Sequence, residues 1–174
     1  MIYTNPLFGV IRTLWLFITG RVRFNNSPVG KIITMKDGKT FTIFRRVKIR
    51  KYFGRNADPQ GLFIVQFTPT MDIKKNIRLS KIMLLIFMGF KGFRSKYWCV
   101  NEESGECQGV YEWEKLEDAE RYSKSIAVRN MTKRSVPGSV SFKVMDNSAS
   151  NRNWRIEDKK EEEKHQFRVM YNLV

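Results

Sequence analysis

One histidine and two cysteines in 174 residues leave little material for metal or nucleophile chemistry. An ordinary zinc site needs four ligands, which one His and two Cys cannot build. No histidine is at hand to activate a serine. Cys99 and Cys107 are too few for a disulfide framework. No phosphate-cradling glycine loop of the P-loop or dinucleotide type occurs, and no apolar run reaches the roughly 20 residues that span a bilayer. A secretory cleavage pattern is also missing. The expectations are therefore a reducing cytoplasm, free thiols, no bound metal and no cofactor. Acids are scarce where bases are dense. Residues 1–56 carry twelve Lys/Arg against one acid, Asp37, a net of +11. Residues 57–134 carry thirteen against ten, and 135–174 seven against six.

What is present is enough for a packed core: 42% apolar residues, with thirteen Phe and four Trp. The basic block suits an anionic neighbour (a lipid headgroup surface, nucleic acid or an acidic partner) or simply a solvated face.

The chain reads as three parts. Residues 1–58 form an N-terminal extension. Its first segment is an apolar helix, with Pro6 in the opening turn and Gly20 as terminator. Arg12, Arg21 and Arg23 flank it, which fits either a helix lying in a membrane interface or one packed on the protein. Asp37-Gly38 marks a two-residue hairpin, and its return strand becomes basic through Arg45, Arg46, Lys48, Arg50 and Lys51. These five are the candidates for an anionic surface. Residues 59–147 alternate in type: a strand at 61–69, a helix at 72–89, two strands within 92–114, a helix at 116–134 and a strand at 138–146. That is the β-α-β-β-α-β, ferredoxin-like α+β plan, preceded by a helix and β-hairpin extension. Residues 148–174 form a charged tail whose end, FRVMYNLV, alternates like one more strand.

The stretch GFRSKYWCVNEESGECQGVYEW (92–113) fixes the two central strands. A turn at Glu103-Ser104-Gly105 closed by Glu102 and Glu106 would set Lys96 opposite Glu112 and Arg94 opposite Glu114, each match contributing about 0.2–1 kcal/mol. In that register Phe93, Tyr97, Cys99, Tyr111 and Trp113 share one face. Trp98 and Val110 lie on the other among charges, so something must cover Trp98.

Gly92-Phe93, Lys96, Trp98, the acidic turn, Gly109-Val110-Tyr111 and Trp113, followed by Glu117, Ala119 and Tyr122, resemble the YdhR-type mono-oxygenase family of the dimeric α+β barrel superfamily. The resemblance covers about residues 61–146. It implies a homodimer whose sheets face each other, with Lys96, Trp98, Val110 and Glu112 on the dimer face and the tail strand crossing to the partner. It also implies a pocket between sheet and helices for a small hydrophobic substrate, with cofactor-independent oxygenation as the reaction if there is one. Gln66, Tyr97, Tyr111 and Trp113 are the pocket candidates; no catalytic residue is assigned. Haem-degrading members of that superfamily hold iron through a histidine on the second helix, which this chain lacks. Two other classes compete. Peripheral association with an anionic membrane rests on the N-terminal extension. Nucleic-acid binding rests on the same basic block with Phe44, Tyr52 and Phe53, has no recognised motif behind it, and is not expected.

Overall fold

The structure is a computed structural model that describes residues 6–50, 58–148 and 154–173. In chain order the elements are α1 (Pro6–Ile18), β1 (Val22–Phe24), β2 (Ile32–Met35), β3 (Thr40–Ile49), β4 (Gly61–Phe67), α2 (Ile73–Phe87), β5 (Phe93–Val100), β6 (Cys107–Trp113), α3 (Leu116–Ser123), α4 (Ile126–Lys133), β7 (Ser141–Asp146), β8 (Trp154–Glu157) and α5 (Glu161–Met170). The strands β7-β4-β6-β5 lie antiparallel in that spatial order. Joined as β4-α2-β5-β6-α3/α4-β7, they are the ferredoxin-like α+β unit read from the sequence. The sheet does not stop at β5. It continues through β3, β2 and β8, with β1 pairing along the far half of β3.

Each sheet face has its own core. On the helix side Phe63, Val65, Trp98, Tyr111 and Trp113 pack under Ile77, Leu84 and Phe87 of α2 and Tyr122 of α3. On the opposite side Leu62, Ile64, Tyr97, Cys99 and Val110 meet Ile33, Met35, Phe41 and Ile43 of the N-terminal hairpin. The long sheet therefore curls until its own strands cover that face.

Local chemistry sets the element ends. Asp72 caps α2 by accepting from the backbone N–H groups of Lys74 and Lys75. Gly20 leaves α1 at φ +63°. α1 lies against the end of α2, where glycines let the backbones touch: a Cβ on Gly89 would stand 1.9 Å from the Gly9 carbonyl oxygen.

Four details differ from the sequence reading. The β2–β3 loop has three residues, 36–38, closed by Met35 and Lys39, with Gly38 at φ +85°. Helix 116–134 is broken in two, because Ser125 ends one helix through its N–H to Tyr122 and starts the next by accepting from the Val128 N–H. In the tail segment FRVMYNLV, residues 167–170 are the end of a helix rather than part of a strand. Three glutamates in the first turn of α5 suit its positive end, and the rings of Phe167 and Tyr171, four apart, meet edge to face at 5.0 Å. Phe167 is buried in this chain's own helix-side core.

The fourth difference concerns β5–β6. The hairpin closes at Asn101 and Glu106 rather than at Glu102 and Glu106. Asn101 Oδ1 accepts from the N–H groups of Glu103 and Ser104, making a four-residue loop with Gly105 at φ +73°. This slips the register by one, so Lys96 faces Tyr111, Trp98 faces Gly109 and Cys99 faces Gln108. A slip of one residue exchanges the faces. Trp98 and Lys96 turn toward the helices, and Tyr97 and Cys99 turn away. Trp98 is 5% exposed in the single chain, covered by helices and not by a second sheet. Cys99 and Cys107 end on opposite faces as buried free thiols.

Candidate functional site

At the centre of the helix-side face, Lys96 on β5 stands opposite Tyr111 on β6. Its Nζ donates to the Tyr111 hydroxyl at 2.6 Å, in a buried hydrogen bond. The same nitrogen lies 4.1 Å from the ring centres of Phe87 and Tyr111 and 4.2 Å from that of Trp98. Gly109 provides the room. A Cβ there would meet the Tyr111 ring at 2.7 Å and Lys96 Cε at 3.5 Å.

A second cation reaches in from β3. Arg45, shifted inward by the irregularity between Ile43 and Arg45, donates to Ser80 Oγ of α2 and lies 5.7 and 5.8 Å from the rings of Phe44 and Trp98. Burial pushes the Arg45 guanidinium down to about 10. Lys96 is pushed well below the ordinary lysine value by burial first and by Arg45 second. Three aromatic faces oppose that push by favouring the cation. Burial raises the Tyr111 and Tyr122 hydroxyls, which are hydrogen-bonded to each other. It also raises the Cys107 thiol to about 12, leaving a protonated sulfur that accepts from Asn76 Nδ2 at 3.3 Å.

Lys96, Tyr111, Trp98, Asn76, Ser80 and Cys107 line a cavity of about 60 Å³. At about 10–15 Å³ for each water, it has room for a few water molecules. Gln108 also lines it, with Oε1 taken by Gln66 at 2.8 Å and Nε2 buried without a protein partner among the described residues. Beside it a groove of about 430 Å³ runs between α2 and α4. Met83, Phe87 and Arg134 line both spaces, and Arg134 Nη2 approaches Met83 Sδ at 3.3 Å between them. The cavity beside Lys96 and the groove are thus adjacent.

The residues singled out from sequence separate. Tyr111 lines the cavity. Trp113 is buried nearby against Phe93 and Tyr122 without lining it. Tyr97 is on the other face, between Arg46 at 4.6 Å and Trp154 at 6.1 Å. Gln66 borders a different depression with Met35 and Phe142. Of the residues assigned to a dimer face, Lys96 and Trp98 form the cavity wall, Val110 is in the opposite core, and Glu112 accepts from Ser95 Oγ. The five basic candidates also part. Arg45 enters the cavity, Arg46 stacks on Tyr97, Lys48 and Arg50 are exposed, and Lys51 lies outside the described residues. Asn76, Ser80, Met83 and Arg134 were not singled out, and Arg45 was singled out only for an anionic surface. Nothing in an alternating basic strand tells which arginine a bulge will turn inward.

No protein-family model matches the chain, and no curated protein matches it. Solved structures do resemble it. One is an uncharacterised ferredoxin-fold protein of Listeria monocytogenes related to antibiotic biosynthesis monooxygenases, at 13% identity over 63% of this chain and 64% of that one, with a TM-score of 0.46. A haem-degrading enzyme of the same organism matches at 11% identity over 62% and 70%, TM-score 0.46. A monooxygenase-like protein of Listeria innocua matches at 12% over 71% and 67%, TM-score 0.45. At such identities the likeness concerns fold alone, and the strand order already establishes the fold.

Haem does not suit these residues. The sole histidine, His165, is exposed on α5, and the space of about 60 Å³ beside Lys96 is far smaller than a macrocycle. Among the described residues no group of three or more His, Cys, Asp or Glu side chains could hold a metal ion.

Proposed function

We propose that the protein binds a small, largely apolar molecule carrying one acidic hydroxyl or enol, and that its action on such a molecule is of the cofactor-independent mono-oxygenase kind. The observation that carries this reading is the caged Lys96, buried beside a cavity and in contact with Tyr111. A lysine driven toward its neutral form by burial can take the proton of a phenol or enol. The resulting ammonium is held by the three rings already around it, and the anion it leaves has Lys96 and Arg45 for neighbours. Such an anion is electron-rich, and dioxygen is the natural acceptor. An activated methylene then exchanges two hydrogens for one oxygen atom while the second oxygen leaves as water, a balance that needs no outside reductant. The names of the similar structures fit this class of chemistry without specifying a substrate.

A chromogenic phenol tests the binding step. In mildly acidic buffer, where free p-nitrophenol is protonated and colourless, the protein should bind it as the yellow anion, and Lys96→Met should abolish the colour. Dioxygen uptake with quinols and anthrone-like phenols then tests the reaction. Equal anion binding by wild type and Lys96→Met would overturn the assignment.

A further inference from the structure

We infer that the outer face of α1 is a docking surface for an anionic lipid bilayer, distinct from the cavity around Lys96. One side of this helix is committed to the protein. Thr13 and Leu16 are buried, and Gly9 touches Gly89. The other side presents Ile11, Leu14, Trp15 and Ile18, exposed by 63, 52, 53 and 84%. Their spacing of i, i+3, i+4 and i+7 makes a continuous apolar stripe. Phe17 and Phe24, rings 6.2 Å apart and both exposed, extend it toward β1. A stripe of this kind normally has a cover.

Charge decides which cover fits. Arg21 lies 5.6 Å over the Trp15 ring, and its Nε donates to the Arg50 carbonyl at 3.0 Å, which brings Arg50 to the foot of the helix. Arg23 pairs with Lys48 across β1 and β3. Arg12 rises from the helix itself, with Asp118 and Glu114 as its acidic neighbours. A second copy would bring the same cations to a matching stripe and be repelled. Anionic headgroups would meet the cations while the apolar side chains enter the acyl boundary. Thirteen residues at 1.5 Å each make α1 about 20 Å long. No described helix is long and apolar enough to cross a membrane, so the helix lies in the plane of the surface.

Full-length protein should co-sediment with phosphatidylcholine vesicles containing phosphatidylglycerol, and only weakly with phosphatidylcholine alone. Ile18→Glu should lower the affinity roughly tenfold or more. Arg23→Glu should lower it too and flatten its salt dependence. Both side chains are exposed, so unchanged circular dichroism and melting will show that the variants fold. Equal binding to neutral and anionic vesicles overturns the inference. So does no vesicle binding at all, including the case in which Ile18→Glu instead dissolves a self-associated species seen by light scattering.

Discussion

A lysine taken out of water loses the hydration of its charge, and in this chain the loss is set against three aromatic faces and a phenol. The sign of the net effect can be read from pH. Because Lys96 binds its proton less well folded than unfolded, the unfolded chain holds more protons between the lowered folded-state value and the ordinary lysine value of 10.5. Stability should therefore rise with pH across that window. The burdened state is the charged one, fully present below the folded-state value and relieved above it. Lys96→Met should remove this rise, so that the variant's advantage is greatest at low pH and shrinks as the buffer is made alkaline. Urea unfolding of both proteins over a pH series measures it. A parallel pair of curves would show that Lys96 is not perturbed. At this scale the sequence was half legible. Lys96, Trp98 and Tyr111 were each singled out, but Tyr111 was placed on the face opposite the other two, because Lys96 was matched to Glu112: opposed charges are visible in a sequence and aromatic cages are not.

The same slip belongs, one scale up, to the hairpin. Cross-strand ion pairs contribute only about 0.2–1 kcal/mol each, which is less than burying one aromatic side chain at about 1.5–3 kcal/mol. The charges therefore had little authority over register. The decision is made in the loop, where the Asn101 side chain accepts from two N–H groups and Gly105 takes the left-handed position. Asn101→Ala should cost about 1 kcal/mol for each hydrogen bond lost, or more if the loop relaxes. It should appear as a lower urea midpoint with an unchanged slope; an unaffected midpoint would mean that the loop does not hold the register. The other elements were readable in proportion to how local their causes are. The order of strands and helices from 61 to 146 followed from alternation and from helical stripes. The Ser125 break is a capping event inside a long helical pattern. The last segment supports either period over eight residues, and only the glutamates before it favour the helix.

At the scale of the whole molecule, the ferredoxin-like unit carries a sheet with two apolar faces, while its helices cover one. Family resemblance assigned the second face to a partner; the single chain covers it with β2, β3 and β8. Ile33, Phe41, Ile43, Leu62, Cys99 and Val110 have no exposure at all, though they come from five strands separated by as many as 77 positions between Ile33 and Val110. That long-range closure leaves no local trace. A basic hairpin joined by residues 51–57, which lie outside the described residues, reads as an appendage from sequence, yet it supplies half of a core. Any pairing of two copies would have to use the outer surface, because Trp98 and Val110 are enclosed. Phe41→Ala separates the two kinds of packing. Emptying this core should cost about 3–5 kcal/mol. The loss should be the same at every protein concentration, since the contacts removed lie within one chain, whereas a core shared between copies would make the unfolding midpoint rise with concentration. The anion binding at Lys96, on the other side of the sheet, should persist wherever the variant is folded.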